Sequence, residues 1–420
     1  MSRHVVVIGA GVVGAASAIE ALQDGHRVTL VDPAEPGGEA AASYGNAGWL
    51  SSHSVLPPTE PGLWKKVPRF LLNPLGPLTI RWAYLPRAAP WLLRYLAAGW
   101  TTARVETTAR ALRALLEDAP RLHQALAEKA GVTQLIERRG VLHIYPSRAN
   151  FEAEANAWRI RRMMGVQWEE LNADALHQRE PDLHARYQFG IAVDEAGSCR
   201  DPGAYVAALV AHAQARGAQL VRDQANGFRI EGGRLKAVTT GGGDIPCDAA
   251  VIAAGVRSKL LAARAGDRVP LGAERGYHAV IDQPEAGPRT AMMASDCKAV
   301  ATPTSTGLRI AGQVEIAAVD AAPNWRRAEI LRDHLLSLFP RLPRDIPAHR
   351  LRYWMGCRPS MPDGLPCIGY ANASRDIIHA FGHGHIGLGG AARTARVVAQ
   401  LLSDRAPEIP LGPYAPGRFA

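Results

Sequence analysis

Hydrophobic positions at the start of the chain follow the pattern of a buried strand, a turn, a helix and a second strand. Val5-Val6-Val7-Ile8 is a continuous apolar run, which is typical of a strand covered on both faces of a parallel sheet. The helix that follows ends at Gly25, and Arg27 to Val31 forms the next apolar strand. The pattern therefore predicts a β-α-β unit.

The turn in this unit has the glycine spacing of a dinucleotide site. Gly9 permits a tight turn, Gly11 lets the backbone approach a pyrophosphate, and Gly14 lets the helix pack on the strand. Val12 and Val13 open the helix, whose free N–H groups favour a phosphate. Asp32 ends the second strand, where a carboxylate can accept the ribose hydroxyls. These features predict the adenosine end of NAD or FAD and do not separate the two.

Further periodic segments extend this pattern along the chain. Helices are predicted over 105–130, Asn150 to Met164 and Asp201 to Gly217, and a helix capped by Asn324 buries Leu331, Leu335 and Leu338. Val141 to Tyr145 is a strand, and a hairpin turns at Gly232-Gly233. A buried strand from Cys247 to Ala254 runs into Gly255 and returns the chain to the first sheet. Three strands predict a separate antiparallel sheet: His278 to Ile281, Lys298 to Thr302 and Leu308 to Ala311.

The chain length and the order of the elements predict two domains. A chain of 420 residues is long for one hydrophobic core. We expect an α/β flavoprotein with a discontinuous Rossmann-like FAD-binding domain over 1–55, 195–265 and 350–420. The substrate-binding domain, with the antiparallel sheet, is expected over 56–194 and 266–349.

Composition and charge restrict the partners. The chain is 47% hydrophobic and 21% charged, which is ordinary for a globular protein. The five scattered cysteines predict reduced thiols, and the start of the chain predicts a cytoplasmic protein without a signal peptide. The net charge of +9 fits anionic substrates, a lipid headgroup layer or simply a solvated basic surface. Basic runs interleaved with aromatic residues are missing, so nucleic acid is not an expected partner.

Residues 56–104 differ in composition from the rest of the chain. They contain four tryptophans, one acidic residue and seven basic residues: Trp64, Trp82, Trp91, Trp100, Glu60, Lys65, Lys66, Arg69, Arg81, Arg87, Arg94 and Arg104. One interpretation is a segment that lies on the inner face of a membrane. The other is a helical cap of the second domain whose tryptophans are core residues.

Two further stretches contain candidate chemistry. Residues 37–48 form a loop of small residues, which leaves room for a flat ring system. Trp354 to Gly369 and Phe381 to Gly390 combine an arginine, two histidines and several glycines, and a helix follows to about Ser403. His383 and His385 have no evident third ligand, so a metal site is not expected.

The motifs together resemble the D-amino-acid oxidase/glycine oxidase superfamily, and especially the bacterial D-amino-acid dehydrogenase branch of small-subunit type. The matching pieces span the chain in family order: Gly9-x-Gly11-x-x-Gly14, Ser43 to Gly48, Asp201-Pro202, Ala253-Ala254-Gly255, Gly276-Tyr277, Trp354-x-Gly356-x-Arg358-Pro359, Pro362-Asp363-Gly364, Gly382-His383-Gly384-His385-x-Gly387 and Pro413 to Phe419. The resemblance implies FAD. Cys357 stands one place from the position where some relatives attach the flavin, so noncovalent FAD is expected.

The resemblance also implies roles for individual residues. Arg358 would hold the substrate carboxylate; the alternative is a structural ion pair, for example with Asp363. Tyr277 would donate to the same carboxylate, or would be a packing residue of its strand. His53 is placed on the substrate side, and His385 is a candidate catalytic residue beside the flavin. The expected cofactor-binding residues are Gly9, Gly11, Val12, Val13, Gly14, Asp32, Ser43, Asn46, Ala47, Gly48, Ala254, Gly255, Gly384, His385, Ile386, Gly387 and Leu388.

The implied reaction is oxidation of the Cα–N bond of a small D-amino or D-imino acid. Hydride would leave Cα for flavin N5, and the imine would hydrolyse to a 2-oxo acid. Electrons would pass to a quinone or another carrier. The alternatives are an oxidase that uses oxygen and acts on a D-amino acid, glycine, sarcosine or D-hydroxyproline, or an FAD-holding subunit of a larger complex. Trp49 to Pro58 departs from the dehydrogenase pattern towards relatives that act on cyclic D-imino acids such as D-hydroxyproline.

Overall fold

A computed structural model describes residues 2–67, 73 and 75–419 of the chain. In chain order its strands are β1 (His4–Ile8), β2 (Arg27–Val31), β3 (Trp49–Leu50), β4 (Leu78–Ile80), β5 (Ile136–Glu137), β6 (Val141–Tyr145), β7 (Glu169–Leu171), β8 (Phe189–Val193), β9 (Gly197–Cys199), β10 (Gln219–Val221), β11 (Ala225–Glu231), β12 (Arg234–Thr240), β13 (Gly243–Pro246), β14 (Ala249–Ile252), β15 (Gly272–Ile281), β16 (Met292–Ala294), β17 (Ala299–Thr304), β18 (Gly307–Ile316), β19 (Leu351–Ser360), β20 (Cys367–Tyr370) and β21 (Ile377–Phe381).

The α-helices are interspersed among these strands in the chain. They are α1 (Val12–Gln23), α2 (Leu85–Ala98), α3 (Thr102–Leu116), α4 (Ala119–Lys129), α5 (Arg148–Glu152), α6 (Ala155–Met163), α7 (Ala173–Arg179), α8 (Pro202–Ala215), α9 (Ser258–Arg264), α10 (Arg326–Leu338) and α11 (Gly387–Leu402). Short 3₁₀ turns connect several of them.

The first sheet confirms the predicted Rossmann-like unit. Its strand order is β10-β2-β1-β14-β21-β20, and all neighbours are parallel except β20, which runs antiparallel to β21. Val5 and Val7 pack into a core with α1, α8 and α11, whereas Val6 and Ile8 pack on the other face against β12. Successive residues of a strand point to opposite faces, so both faces of β1 are covered, as its unbroken apolar run predicts.

Among the described residues, the second large sheet has nine strands. Its main path is β19-β15-β18-β17-β16-β6-β8-β7, and β4 pairs with β18. Most pairs are antiparallel, as predicted, but β16–β6 and β18–β4 are parallel. Helix α10 covers one face with the buried side chains Leu331, Leu335 and Leu338. The described residues also form a three-stranded sheet in the order β3-β9-β5.

Several boundaries differ from the sequence prediction. The helix expected over 105–130 breaks between α3 and α4 because Asp118 adopts a left-handed φ of 61°, and Pro120 belongs to the first turn of the new helix. The helix expected over Asn150 to Met164 is two helices, α5 and α6. Helix α10 begins after Trp325, so Asn324 is not its cap. Strand β19, placed by sequence in the FAD-binding domain, pairs with β15 along its whole length and belongs to the second sheet.

Candidate active site

A cavity of about 1400 Å³ extends from the glycine turn after β1 to the strands β15, β18 and β19. Single ligand sites are usually 300–1,000 Å³, so this cavity has room for a dinucleotide and a small substrate together. The described residues that line it come from the first sheet, the loop over 33–54, the second sheet and the turn before α11.

The glycine turn is built as its spacing predicts. Gly9 has a φ of +106°, and a Cβ on Gly14 would lie 1.8 Å from the Gly9 carbonyl oxygen. Both positions therefore need glycine for the fold of the turn, independently of a bound cofactor. A Cβ on Gly11 would meet only Ser43 Oγ, at 3.5 Å, so the space beside Gly11 is open towards the cavity. The turn thus offers room and helix N–H groups for a pyrophosphate.

Asp32 and Ser43 hold the turn in place. The carboxylate of Asp32 accepts hydrogen bonds from the N–H groups of Ala10, at 2.7 Å, and Ala34, at 2.8 Å. Ser43 Oγ accepts a hydrogen bond from the N–H of Val12 at 3.2 Å. Both side chains line the cavity, so an adenosine ribose would meet a fixed carboxylate.

The Ser43-to-Gly48 segment is clamped by the second sheet. The buried Arg309 of β18 donates from Nη1 to the carbonyls of Tyr44, at 3.1 Å, and Asn46, at 2.7 Å. Thr302 of β17 donates to the carbonyl of Ala47 at 2.8 Å. Arg309 was not predicted as a site residue, although a single arginine inside an apolar strand was a visible signal.

Most of the predicted cofactor residues line the cavity. Fifteen of them do so: Gly9, Gly11, Val12, Val13, Asp32, Ser43, Asn46, Ala47, Ala254, Gly255, Gly384, His385, Ile386, Gly387 and Leu388. Gly14 lies behind the turn, where it packs on Gly9. Gly48 packs against β9, since a Cβ there would lie 2.4 Å from the carbonyl oxygen of Cys199. These last two glycines shape the site and do not border the cavity.

Arg358 lies on the cavity side of β19. Its guanidinium covers Gly276 of β15, because a Cβ on Gly276 would lie 2.2 Å from Arg358 Cζ. Within the described part of the chain, the guanidinium forms one hydrogen bond, which Nη1 donates to the carbonyl of Gln313 at 3.2 Å. Asp363 instead pairs with Arg418, at 2.7 Å. Arg358 therefore does not form the ion pair with Asp363 that was the alternative to substrate binding.

Gln313 itself has an unusual backbone. It adopts a left-handed φ of 60° opposite a register shift between Arg275 and Tyr277. Its side-chain oxygen accepts a hydrogen bond from the buried Arg327 at 2.6 Å. Backbone strain of this kind costs about 1–3 kcal/mol and tends to occur at functional sites. Here the bulge directs the Gln313 carbonyl to Arg358.

Tyr277 lies outside the cavity. It is 1% exposed, its hydroxyl donates to Glu315 at 2.7 Å, and the same oxygen accepts from the N–H of Asn324 at 3.1 Å. Adjacent residues of a strand point to opposite faces, so Gly276 borders the cavity and Tyr277 packs against α10. The structure thus favours the packing role over a contact with substrate.

His53 is also separated from the cavity. It is 1% exposed, and its two ring nitrogens lie 2.9 Å from Ser51 Oγ and 2.8 Å from His143 Nε2. Burial and nearby arginines lower the pKa of His53 well below its usual value. Ser51 and Ser54 are the members of this cluster that border the cavity.

The two C-terminal histidines point to different partners. His383 is buried, and its Nε2 lies 2.9 Å from Thr394 Oγ1; burial lowers the pKa of His383 to about 3, so it stays neutral. His385 is half-exposed and lines the cavity, with its Nε2 2.8 Å from a carboxylate oxygen of Glu274. Glu274 is a site residue that the sequence analysis missed.

With this geometry in place, comparison with known proteins identifies the family. Residues 4–401 match the family model described as "DAO: FAD dependent oxidoreductase". The chain belongs to this family. It is therefore an enzyme of the FAD-dependent oxidoreductases, and the open space at Gly11, the fixed Asp32 and the size of the cavity fit FAD.

Individual relatives agree with this assignment. A protein of Bradyrhizobium diazoefficiens named "D-amino-acid oxidase" is 67% identical over 417 residues, covering 99% of both chains. A "D-amino acid dehydrogenase" of Cereibacter sphaeroides is 31% identical over 99% of this chain and 95% of its own length. The crystal structure of glycine oxidase from Geobacillus kaustophilus has a TM-score of 0.74 at 21% identity, with 99% of both chains covered. These two relatives are named for the oxidation of D-amino acids, and the glycine oxidase structure supports the fold.

Proposed function

We propose that the chain oxidises the Cα–N bond of a small D-amino or D-imino acid to the imine, which hydrolyses to the 2-oxo acid or persists as a cyclic imine. The observation that supports this most directly is Arg358. A guanidinium covering a glycine at the cavity surface, with one protein hydrogen bond, has donors available for a carboxylate. A planar guanidinium binds a carboxylate with two parallel hydrogen bonds.

The residues of the chain would position the substrate. Arg358 binds its carboxylate, and Gly276 lets the guanidinium lie flat against β15. Bound FAD supplies the acceptor for the hydride of Cα. The first turn of α11, from Gly387, lines the cavity, and its N–H groups and helix dipole favour a group that gains negative charge. Positioning and this local field would account for most of the rate.

The direct test is anaerobic bleaching of the protein-bound flavin. The purified holoenzyme is mixed with D- and L-amino acids, D-proline derivatives or N-methylglycines in turn. We expect bleaching with D-amino or D-imino acids and none with their L-enantiomers. Bleaching by the isolated chain would also exclude the function of an FAD-holding subunit that needs a partner. A flavin that no amine reduces would contradict the proposal.

For the electron acceptor we propose a quinone or another carrier at the cytoplasmic face of a membrane. No helix of the described residues is long and apolar enough to cross a membrane. Large apolar side chains are exposed in the Trp-rich segment over 56–104: Trp64 is 51% exposed, Trp82 61%, Leu93 69% and Trp100 61%. Trp91, in contrast, packs on Tyr95. Residues 68–72 and 74 of this segment, including Arg69, lie outside the described part.

The charge of this segment complements an anionic lipid surface. Lys65, Arg87, Arg94 and Arg104 are exposed in the same segment, and the Lys65 ammonium lies 5.7 Å from the centre of the Trp64 ring. Basic residues attract anionic headgroups while tryptophan and leucine enter the interface. This arrangement supports peripheral contact with a membrane that contains the quinone.

An oxidase is the second candidate, because the relative at 67% identity is named "D-amino-acid oxidase". The two candidates differ in the product of flavin reoxidation. An oxidase forms one hydrogen peroxide for each imine at a rate that matches turnover. A dehydrogenase turns over slowly in air and is accelerated by a soluble quinone. Parallel assays of peroxide and quinone reduction decide between them.

A further inference from the structure

Glu274 lies between the proposed carboxylate-binding arginine and the histidine of the cavity. It belongs to β15 and lies opposite Arg358 of the neighbouring strand β19 in the antiparallel register. The two side chains therefore lie on the same face of the sheet. Glu274 is 3% exposed. Its carboxylate lies 2.8 Å from Nε2 of the half-exposed His385. Glu274 is thus a buried carboxylate with two basic side chains beside it at the edge of the cavity.

The charge of Glu274 is maintained by its neighbours. Burial alone raises the pKa of this carboxyl, but the N–H of His385 beside it and the charge of Arg358 outweigh burial and leave the pKa below its usual value. Tyr95 of helix α2 is a further titratable neighbour, and burial together with the charges of Glu274 and Glu60 raises the pKa of its phenol above the usual value. Glu274 is therefore anionic and Tyr95 is neutral at the pH of an assay.

The contact fixes which nitrogen of His385 carries the proton. The carboxylate oxygen of Glu274 lies 2.8 Å from Nε2 of His385 and would repel a lone pair on that nitrogen, so Nε2 carries a hydrogen. The contact has the distance of an ion pair but not the alignment of a hydrogen bond. In a neutral imidazole the other nitrogen then has the lone pair. Nδ1 of His385 is thus the basic atom of a side chain that borders the cavity.

The proposed reaction has a use for such a base. A free amino acid arrives with an ammonium group, and this nitrogen can form the C=N bond only after it has lost one proton. Transfer of that proton breaks one N–H bond of the substrate and forms the Nδ1–H bond of His385, leaving a neutral amine. The carboxylate of Glu274 then balances the new imidazolium, while the substrate carboxylate balances Arg358.

We propose that Glu274 is a positioning residue that holds His385 with Nδ1 free to accept the proton of the substrate ammonium. This inference rests on the proposed oxidation of an amino or imino acid. It adds a base that deprotonates the substrate ammonium to a site whose other residues only position the substrate.

The kinetic test uses three variants of the holoenzyme: His385→Asn, Glu274→Gln and, as a matched control on an exposed histidine, His349→Asn. Anaerobic flavin reduction by the best substrate is followed by stopped flow from pH 7 to 10. General-base catalysis contributes about 10²–10⁴-fold. We therefore expect reduction at pH 7 to slow by about 100-fold in His385→Asn, by less in Glu274→Gln and not at all in His349→Asn.

The pH dependence separates a base from a structural role. As the pH rises, more substrate arrives as the neutral amine, so the deficit of both variants should narrow towards pH 10. A deficit that stays constant over this range would overturn the inference. Flavin content close to that of the unmodified chain shows that each variant folds. His385 is half-exposed, so His385→Asn still decides if Glu274→Gln does not fold.

A second measurement does not depend on turnover. ¹⁵N-labelled histidine reports which ring nitrogen carries the hydrogen. At pH 8.5, where an ordinary imidazole is neutral, the ring signal that disappears in His385→Asn should show a hydrogen on Nε2 and a lone pair on Nδ1. In Glu274→Gln, which removes the charge and keeps the size of the side chain, this preference for one tautomer should weaken, and a hydrogen on Nδ1 in the unmodified chain would overturn the inference.

The failures of the two proposals are distinguishable. If no amino or imino acid bleaches the unmodified holoenzyme, the proposed function fails and this inference fails with it. If bleaching occurs but His385 carries its hydrogen on Nδ1, or the deficit of the variants does not change with pH, only the role of Glu274 and His385 is contradicted.

Discussion

Arg358 shows how single residues of the second sheet prepare the site. Its guanidinium is placed by three features: the missing side chain of Gly276, the carbonyl of Gln313 and the charge of Glu274. Burial lowers the pKa of Arg358, and Glu274 opposes this shift. The arginine therefore remains charged and oriented before substrate arrives, which reduces the cost of ordering it on binding.

The first prediction concerns this arginine. Arg358→Ala should weaken substrate binding by about 100-fold, or about 2.7 kcal/mol, because charge-assisted hydrogen bonds contribute about 1.5–3 kcal/mol. Binding is measured from the concentration dependence of flavin reduction, with FAD content unchanged. Arg352→Ala is a matched control in the same strand, since Arg352 is exposed and pairs with Asp282. Unaltered substrate binding in Arg358→Ala would contradict the assignment.

The second prediction uses the glycines of the first turn. Gly14→Ala should impair folding, because its Cβ would lie 1.8 Å from the Gly9 carbonyl oxygen. Gly11→Ala should fold, since its Cβ meets only an ordinary contact at 3.5 Å, but should lose FAD because the methyl group occupies space needed by the pyrophosphate. Gly412→Ala, with open space around its Cβ, is the control. The measurements are the ratio of flavin to protein and the thermal unfolding curve. Full FAD content in Gly11→Ala would show that the pyrophosphate does not approach this glycine.

At the scale of elements, local patterns predicted most of the fold. The unbroken apolar run of β1, the Asp201 cap of α8 and the Gly232-Gly233 hairpin depend on neighbours in sequence, and the structure confirms them. The break at Asp118 was not predicted, although Pro120 marks it in the sequence, because the spacing of apolar residues continues across the break.

Residues of the site were harder to predict where contacts cross strands. Arg358 was found from its motif, but Glu274 matters only through its register with β19, and Gln313 only through a bulge in β18. Tyr277 illustrates the converse. Its motif position suggested substrate contact, whereas the pleat of β15 turns it away from the cavity. Pairing register and strand pleat are properties of the sheet, so the sequence of one strand does not contain them.

The third prediction belongs to the Trp-rich segment. The triple variant Trp82→Ala/Leu93→Ala/Trp100→Ala should bind vesicles that contain anionic lipid at least tenfold more weakly than the unmodified chain, because these side chains are exposed and apolar. Binding of the unmodified chain should fall as salt rises. Met163→Ala, which removes an exposed apolar side chain outside the segment, should bind normally. Sedimentation with vesicles measures the effect, and equal binding of all three proteins would exclude a membrane contact through this segment.

At the scale of the whole molecule, the site depends on both large sheets at once. The first sheet supplies the turn for the dinucleotide, and the second supplies Arg358, Glu274 and the clamp of Arg309. Loop residues 43–48 and the turn before α11 lie at the junction. The residues around substrate and cofactor are thus held by contacts between segments that are far apart in the sequence. The same packing buries many ionisable groups.

Five buried histidines give the last prediction, a loss of stability in acid. Burial lowers the pKa of His123 to about 4 and of His278 and His383 to about 3, and it lowers the pKa of His53 and His143 well below the usual value. Each ring is neutral in the fold and takes up a proton on unfolding below about pH 6.5. The unfolded chain then binds more protons, so each ring lowers the free energy of unfolding by about 1.4 kcal/mol per pH unit between pH ~6.5 and its folded pKa.

Urea titrations of the holoenzyme at pH 7, 6 and 5, followed by tryptophan fluorescence, should therefore show a steep fall in the unfolding midpoint below pH 6.5. His123→Gln removes one of these rings and should reduce the slope by about 1.4 kcal/mol per pH unit, even if it also lowers stability at pH 7. His349→Gln, at an exposed position, should leave the slope unchanged. A midpoint that is constant from pH 7 to 5 would mean that the buried rings do not remain neutral in the fold.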